Sequence, residues 1–505
     1  MPASTQQLYE RFVGLLRETE LLDSCSSLLG WDQETYMPER GADHRAEQLA
    51  LLAGMVHAKR TDPEIKGLLG ELEQSKLMAD PQSAAAVNVR ETRRVCDRAS
   101  RVPPKLVEEI ARTTSLARGH WVEARKKGDF SRFLPWLEKI VSLKRQEAEA
   151  LGYGDHPYDA LLDDYEPGAT SAGLGKLFEP LRSALADLLQ RIVNSPTQAP
   201  VEVLTRRYPV SDQEAFGRRA AQAIHFDFHG GRLDVTTHPF CTGIGPGDTR
   251  ITTRYDEHDL GNSFFSILHE CGHGIYDQGL DPQHYGTPLG KAVSLGIHES
   301  QSRLWENYVG RSRPFWEHFF PQAQAAFPDA LSDVALDDFH RAVNDVRPSF
   351  IRTESDEVTY NLHIFLRFEL ERALIVGDLK PADVPGVWNE TFERDFGLRP
   401  PDDRRGCLQD IHWSGGGIGY FPTYTLGNLY GAQFFARARV ELGDLDSQLA
   451  HGEFAPLKSW LNEKIHRQGQ RWRGAELVEV VTGKPPSHEA LADYLENKYG
   501  DLYGV

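Results

Sequence analysis

Two histidines four residues apart enclose a glutamate in the segment His269-Glu270-Cys271-Gly272-His273. Residues at positions i and i+4 lie on one face of a helix, so the two imidazoles can bind one zinc ion. Glu270 would then lie beside the metal as a general base. The same five residues also fit a core helix whose histidines are simply hydrogen-bonded, so the flanking sequence has to distinguish the two interpretations.

The flanking sequence favours a buried helix with defined ends. Residues 259–263 are typical of a helix N-terminus, and Gly279 predicts where the helix ends. Cys271 and Gly272 are small, which lets other segments approach the metal-binding turn closely. The apolar side chains that would bury this helix are Phe264, Phe265, Ile267, Leu268 and Ile275.

A catalytic zinc site needs a third protein ligand in addition to the two histidines. Glu299 follows His273 at a distance that allows a second helix to fold back against the first. We prefer Glu299 to its neighbour His298, because two histidines and one carboxylate form a hydrolytic zinc set. His298 would then either support a ligand from behind or face the substrate.

This donor set predicts metal-assisted hydrolysis of an amide bond. Zinc lowers the pKa of its bound water to about 7, which makes that water a nucleophile at neutral pH. Glu270 takes a proton as the water attacks a carbonyl, and it then passes the proton to the leaving amine.

The rest of the chain predicts a mainly α-helical protein that carries this site. Apolar residues recur with the helical period over most of the sequence, as at 362–370. The exception is residues 224–255, where extended segments are separated by glycine-rich turns. These segments are 224–228, 232–236 and 250–255. We expect them to form a small antiparallel β-sheet next to the metal helix.

Two stretches of turn-forming residues interrupt the helical pattern, at 194–200 and at 399–403. Neither is long enough to be a flexible linker. We therefore expect one catalytic unit over the whole chain. Its parts are an N-terminal helical layer at 1–193, a catalytic part at 201–505, the β-segment at 224–255 and the metal site at 265–303.

Composition argues against several classes of protein. The formal net charge of -18 speaks against nonspecific nucleic-acid binding, which needs a basic surface. No apolar run approaches the ~18 residues of a membrane span, and Glu10 and Arg11 interrupt the region where a signal peptide would be apolar. The 5 cysteines form no C-x-x-C pair, which argues for a reducing compartment. We expect a cytoplasmic protein without nucleic-acid or membrane partners.

Beyond the metal helix, the chain resembles the M32 family of metallocarboxypeptidases over essentially its whole length. The motifs that carry this resemblance follow the family's order and are His238-Pro239-Phe240, Asp248 to Thr252, His298 to Arg303, Ile351 to Asp356, and Gly406 to Trp413. Ser355 stands where the family usually has alanine, which is a small-for-small change.

The resemblance implies a large, mostly α-helical metallopeptidase fold with a deep substrate groove and a small sheet beside it. It implies a saddle-like homodimer, with zinc or cobalt as the metal. The implied activity is removal of single residues from peptides with a free C-terminus, with broad side-chain tolerance and poor cleavage before proline.

A carboxypeptidase must recognise a free α-carboxylate, and a guanidinium matches a carboxylate with two parallel hydrogen bonds. Arg352 is the first candidate for this role. The alternative is a structural salt bridge from Arg352 to Glu354 or Asp356. Arg250 is the second cation, and the family's pattern implies that it closes the groove and limits substrate length.

The developing oxyanion needs a hydrogen-bond donor in addition to the metal. His412 and Tyr420 lie in or just after the last motif and are the candidates, and Tyr424 remains an alternative. His238 follows a predicted strand, and we expect it to face the groove.

Two other functions have to be distinguished from a carboxypeptidase. Related helical folds with the same metal helix cut peptides internally, and only the carboxylate-binding arginine separates the two kinds of enzyme. A noncatalytic peptide-binding protein would have no reason to keep Glu270 together with both histidines and a third carboxylate. We therefore predict a metal-dependent carboxypeptidase.

Overall fold

The computed structural model describes residues 4–236 and 238–505 and is mostly helical, as predicted. The first nine helices are α1 Thr5–Thr35, α2 Ala42–Arg60, α3 Pro63–Glu73, α4 Ala84–Arg101, α5 Pro104–Lys127, α6 Leu134–Leu151, α7 Pro157–Leu162, α8 Ser171–Val193 and α9 Val210–Ala223. Within these described residues, none of the helices has the length and apolar character needed to cross a bilayer.

The helices after the sheet include those that carry the candidate residues His269, His273 and Glu299. They are α10 Leu260–Gly279, α11 Leu295–Arg303, α12 Arg313–Ala326, α13 Pro328–Leu331, α14 Leu336–Val343, α15 Thr359–Val376, α16 Val384–Phe396, α17 Pro422–Leu442, α18 Leu445–Ala450, α19 Ala455–Lys464, α20 Gly474–Thr482 and α21 Glu489–Tyr503. A π-helical turn, Leu304–Val309, continues α11 without a break.

The sheet has three strands and is mixed rather than antiparallel. Strands β1 Gly231–Val235, β2 Cys241–Gly245 and β3 Asp248–Thr253 lie in the order β1-β3-β2. β2, which was not among the predicted strands, pairs antiparallel with β3, whereas β1 runs parallel to β3, with Gly231 opposite Thr249. The antiparallel prediction is wrong for β1, because its neighbour in the sheet is β3 and not β2, the next strand along the chain. β3 then fills the central place and pairs on both sides.

The strand predicted at 224–228 is absent. α9 ends at Ala223, and His225 has a φ of 69°, in the left-handed region, so the chain reverses there. The N–H of Phe226 donates to the carbonyl of Ala221 at 2.9 Å, which is a bond of a helix end. Ile224 and Phe226 are both buried. Their apolar alternation therefore reflects two core contacts beside a turn and not a β-strand.

Helix α10, which carries His269 and His273, has the predicted ends. The Oδ1 of Asp259 accepts the backbone N–H of Asn262 at 3.0 Å, which caps α10, and the helix ends at Gly279. An aspartate at this position satisfies one of the free N–H groups of the first turn. The stretches at 194–200 and 399–403 lie outside the helices, also as predicted.

Buried apolar side chains form two clusters. The larger draws on elements from Val102 to Tyr503 and includes most of α10. The smaller lies among α1, α3 and α4, around Phe12 and Leu69. The loop at 194–200 does not divide the larger cluster, because residues on both sides of it contribute to the same core.

Glycines let α11 lie directly against α10 and α17. A Cβ at Gly272 would come within 2.5 Å of the backbone of Gln301 and Ser302. A Cβ at Gly427 of α17 would overlap the side chain of Glu299. Small residues allow helix backbones to approach this closely, and α11 is consequently held from two sides.

We expect Gly272→Ala to destabilise the protein by about 1–3 kcal/mol, because the added methyl group would collide with backbone that cannot move aside easily. Thermal unfolding of the variant should show a lower midpoint than the wild type. Gly175→Ala in α8 is the matched control, since a Cβ there has no atom within 4 Å. That substitution should be neutral or slightly stabilising, and an equal loss in both variants would contradict the close-packing argument.

Candidate metal centre

The two helices α10 and α11 bring three candidate ligands together. One ligand atom from each of His269, His273 and Glu299 lies within 4.8 Å of the others. The Oε2 of Glu299 is 3.7 Å from Nε2 of His269 and 3.4 Å from Nε2 of His273. Two imidazole nitrogens and one carboxylate oxygen are a donor set suited to a zinc-like divalent ion. The residues present therefore fit a metal of this kind.

The start of α11 is fixed by polar contacts, and these determine where Glu299 lies. The Oγ of Ser294 accepts the N–H of Ile297 at 3.2 Å. The buried carboxylate of Glu166 accepts the N–H of Gly296 at 3.0 Å. Both bonds satisfy free N–H groups of the first helical turn. Burial raises the pKa of Glu166 to about 7.

His269 is oriented by a second carboxylate. Its Nδ1 lies 2.8 Å from Oε2 of Glu306, which belongs to the π-helical turn after α11. Burial alone would raise the pKa of Glu306, but the charge of Arg303, together with His269 and Arg311, lowers it to about 2. An ionised carboxylate behind a ligating histidine fixes the tautomer and the ring orientation.

His273 is oriented by a longer chain of polar groups. Its Nδ1 lies 2.5 Å from Nδ1 of His298, whose Nε2 lies 3.0 Å from Oδ1 of Asp277. Burial lowers the pKa of His273 to about 4, so this imidazole is neutral, as a metal ligand must be. Both ring nitrogens of His298 are engaged, which favours support of His273 over contact with substrate. Asp277 was not identified from the sequence, although it lies one helical turn after His273.

Glu299 is held by a cation on the same helix. Its Oε1 accepts Nε–H of Arg303 at 2.7 Å and its Oε2 accepts the hydroxyl of Ser302 at 3.1 Å. Although burial acts in the opposite direction, Arg303 and His269 keep the pKa of Glu299 well below its usual range. Glu299 is therefore an ionised carboxylate with Oε2 directed at the two histidines.

Glu270 lies in the same turn as the two histidines and is only 6% exposed. Its Oε2 has no hydrogen-bond partner among the described residues. Burial raises the pKa of Glu270 to about 7. A buried oxygen without a partner is costly unless something else binds there, and a carboxyl with this pKa can both take up and release a proton near neutral pH.

Arg352 is buried and is tied to residues other than the two considered from the sequence. Its Nε and Nη2 donate to Oδ1 of Asp410 at 3.0 and 2.8 Å, and its Nη1 donates to the hydroxyl of Tyr360 at 2.9 Å. The expected alternative partners, Glu354 and Asp356, form no ion pair with it in the described chain. A guanidinium has five N–H groups, so one remains on Nη1 and one on Nη2.

Asp410 lies between two arginines and escaped the sequence analysis. Besides Arg352, it accepts Nε–H of Arg367 at 2.6 Å. Burial is outweighed by these two cations, which hold the pKa of Asp410 well below its usual range. The residue belongs to the segment Gly406 to Trp413, and its position two residues before His412 was the available signal.

His412, Tyr420 and Tyr424 form one aromatic group. Nε2 of His412 lies 3.1 Å from the hydroxyl of Tyr424, and the rings of His412 and Tyr420 are 5.2 Å apart. Burial lowers the pKa of His412 to about 3 and raises that of Tyr420 to about 12. The imidazole is therefore neutral at pH 7, and Tyr420 keeps its proton and can donate a hydrogen bond.

Arg250 and His238 make no hydrogen bond to the metal-ligand set in the part of the chain that the structure describes. Arg250 donates twice to Asp248, at 2.8 Å each, and stacks on Trp31 of α1 with its guanidinium carbon 4.3 Å from the ring centroid. His238 is an exposed residue, but its ring is partly enclosed by neighbouring atoms, and this enclosure together with the charge of Arg254 lowers its pKa.

This chain is similar to known proteins in sequence and in fold. A family model described as carboxypeptidase Taq (M32) metallopeptidase matches residues 11–499. Thermostable carboxypeptidase 1 of Thermus thermophilus is 50% identical, over 98% of this chain and 99% of that protein. Carboxypeptidase 1 of Bacillus subtilis is 38% identical, over 98% and 99%. The crystal structure of the M32 carboxypeptidase from Deinococcus radiodurans R1 is 40% identical, with a TM-score of 0.95 over 99% of this chain and 100% of that chain.

We expect His298→Ala to weaken metal binding by roughly 10–100-fold, because Nδ1 of His273 loses the partner that orients it. Competition between the protein and a chelator for Zn²⁺ measures this affinity. His451→Ala removes an exposed histidine and is the control. Unchanged affinity in His298→Ala would show that the contact does not orient His273.

Proposed function

We propose a role for each side chain of this site. The premise is that the chain belongs to the carboxypeptidase Taq (M32) family of metallopeptidases and is a metal-dependent carboxypeptidase. The substrates would be peptides with a free C-terminus and varied final side chains. The observation that carries the proposal is a single arrangement. Two histidines and one glutamate come together beside Glu270, whose Oε2 has no partner among the described residues. This set is joined to the buried cation Arg352 through Arg303, which contacts Glu299, and Tyr360, which contacts both arginines.

His269, His273 and Glu299 would hold the metal, and we propose zinc, with cobalt as an effective substitute. The nitrogen and oxygen donors support this choice. When bound, such an ion lowers the pKa of a water ligand and polarises a carbonyl oxygen. Glu306 and His298 would orient the two histidines from behind.

Glu270 would act as general base and then as general acid. Its Oε2, which has no other partner in the described residues, would take the proton of the attacking water. The same oxygen would then deliver that proton to the nitrogen of the leaving amino acid. A pKa near neutrality suits both steps, since the group must be ionised first and protonated afterwards.

Arg352 would bind the α-carboxylate at the C-terminus of the peptide. Its two remaining N–H groups, one on each Nη, match the two oxygens of a carboxylate. Asp410 and Tyr360 occupy its other donors and leave it little freedom to reorient. Arg250 and His238 would contact substrate farther from the scissile bond, with Arg250 at the closed end of the groove.

The oxyanion that develops on the scissile carbonyl would be stabilised by a hydroxyl or imidazole N–H from the aromatic group. Tyr420 is protonated at neutral pH, and His412 is neutral and retains one N–H. Donors of this kind act when they are directed at the position of the charge in the transition state. Tyr424 would hold His412 through the contact at 3.1 Å.

We further propose that the chain works as one catalytic unit, as a cytoplasmic homodimer. The shared core across the loop at 194–200 supports a single unit. Scattered cysteines, none of them in a disulfide, support a reducing compartment. The dimer follows from resemblance to the family, and sedimentation would measure it.

Glu270→Gln should lower kcat by roughly 10²–10⁴-fold, the usual contribution of a general acid or base. The amide keeps the size of the side chain but cannot take up the proton. Metal content should stay at the wild-type level, because Glu270 is not one of the three ligands. A variant that keeps most of its activity would contradict the role of Glu270 in proton transfer.

A blocked dipeptide with a free C-terminus, compared with its C-terminal amide, tests the function itself. The wild type should release amino acid from the free acid, lose this activity to a chelator and regain it with Zn²⁺ or Co²⁺. Arg352→Lys should lower kcat/KM for the free acid roughly 10–100-fold, since lysine keeps the charge but not the paired donors. The amide should be cleaved poorly by both proteins.

Other outcomes would point to other functions. Efficient cleavage of both substrates would favour an oligopeptidase that does not need the free carboxylate. No cleavage of either substrate with metal present would favour a peptide-binding protein. An unchanged preference for the free acid in Arg352→Lys would assign carboxylate recognition to another residue.

A further inference from the structure

One aromatic side chain joins the metal ligands to the arginine that would bind the substrate carboxylate. Tyr360 lies in the first turn of α15 and is 5% exposed. Its hydroxyl accepts Nη1–H of Arg352 at 2.9 Å. On the other side, the guanidinium carbon of Arg303 lies 4.1 Å from the centroid of the Tyr360 ring. A cation this close to an aromatic ring is attracted by the ring's quadrupole.

Arg303 is itself part of the support of the metal site. Its Nε donates to Glu299 at 2.7 Å and its Nη1 donates to Glu306 at 3.2 Å. Glu306 in turn contacts His269. Tyr360 is therefore one residue removed from a metal ligand on one side and in direct contact with Arg352 on the other.

We infer that Tyr360 is a positioning residue, which sets the separation between Arg352 and the metal ligands and so selects the last peptide bond for cleavage. The inference rests on the proposed role of Arg352. Tyr360 would not touch the reacting atoms. It would act through Arg352, by holding the guanidinium at a fixed distance from the candidate metal ligands His269, His273 and Glu299.

A carboxypeptidase needs this separation more than an internally cutting enzyme does. Its selectivity requires that the bound carboxylate and the scissile carbonyl be one residue apart. A shift of an extended peptide by one residue moves it by about 3.3–3.6 Å. Displacements much smaller than this, of about 1 Å, can already lower rates 10²-fold.

The local structure suits Tyr360 to a rigid role. The N–H groups of Val358 and Thr359 donate to Oδ1 of Asp356, each at 2.9 Å, which fixes the start of α15. The N–H of Tyr360 donates to the carbonyl of Asp356 at 2.9 Å. The phenol ring then extends from a fixed helix end between two arginines.

Asp410 is the other anchor of Arg352, but Tyr360 gives the cleaner experiment. Removal of Asp410 would leave two buried arginines without their shared carboxylate, which is strongly destabilising. Tyr360→Phe removes one neutral hydroxyl and keeps the ring under Arg303. Tyr360→Leu removes the hydroxyl and the ring and serves as the second variant.

The test compares kcat/KM for a blocked dipeptide and its C-terminal amide. Tyr360→Phe should lower the value for the free acid roughly 10-fold, which is the effect of losing one hydrogen bond to a charged group. The amide should be unaffected, and metal content should be unchanged. Tyr360→Leu should show a larger loss on the free acid and weaker metal binding, because Arg303 loses its aromatic contact.

Product analysis supplies a second readout that a loss of stability would not produce. On a pentapeptide, the wild type should release single residues from the C-terminus. Both Tyr360 variants should also release dipeptides, since the carboxylate would no longer be held at one distance. The matched control is Tyr503→Phe, which also removes one buried hydroxyl, but one that accepts the backbone N–H of Val346 at 2.9 Å and does not contact Arg352.

Three results would overturn the inference, and they can be told apart. If Arg352→Lys lowers the preference for the free acid and Tyr360→Phe does not, the proposed function stands and the role of Tyr360 is wrong. If neither variant changes the preference, the role of Arg352 is wrong as well. If Tyr360→Phe lowers activity on both substrates equally with single-residue products only, Tyr360 is merely structural.

Discussion

The charge of Arg303 is the feature on which the geometry of this site depends. Its guanidinium donates to the buried Glu299 and to the largely buried Glu306, two carboxylates of one continuous helical segment. Without a cation between them, burial and mutual repulsion would favour uptake of a proton by one of them. With Arg303 in place both stay ionised, so Glu299 can serve as a ligand while Glu306 orients His269. The same guanidinium lies over the ring of Tyr360, which extends its influence to Arg352.

Local sequence patterns predicted the parts of the molecule that depend on local geometry. The spacing of His269 and His273 follows from the helical repeat, and the ends of α10 follow from Asp259 and Gly279. Glu299 was chosen for its chemistry, and the structure brings it next to both histidines. Its exact approach depends on contacts of Gly272 and Gly427 with α11. Only the first of these was indicated by the sequence, as a small residue beside the ligands.

The features that escaped prediction depend on contacts between distant segments. The alternative considered for Arg352 was a salt bridge to a near neighbour, Glu354 or Asp356, yet its partner is Asp410, which packing of the chain brings to it. The parallel pairing of β1 with β3 is likewise a choice among distant neighbours, which alternation of side chains does not specify. In the segment 224–228 the sequence shows the alternation of a strand, but its apolar residues pack beside a turn and form no strand. Residue spacing predicts local geometry, whereas charge pairing and strand order depend on the tertiary fold.

The cluster of Arg352, Arg367 and Asp410 has an unbalanced charge. Two buried guanidinium groups share one carboxylate, so the three side chains carry a net charge of about +1, and the neighbouring His412 is neutral. A buried charge without a counterion is unfavourable. If Arg352 binds the substrate as proposed, a peptide with a free C-terminus would bring one negative charge to this cluster and make it neutral. The substrate carboxylate would thus supply the anion that this cluster lacks in the free enzyme. Its binding would relieve an electrostatic cost that is already present in the folded protein.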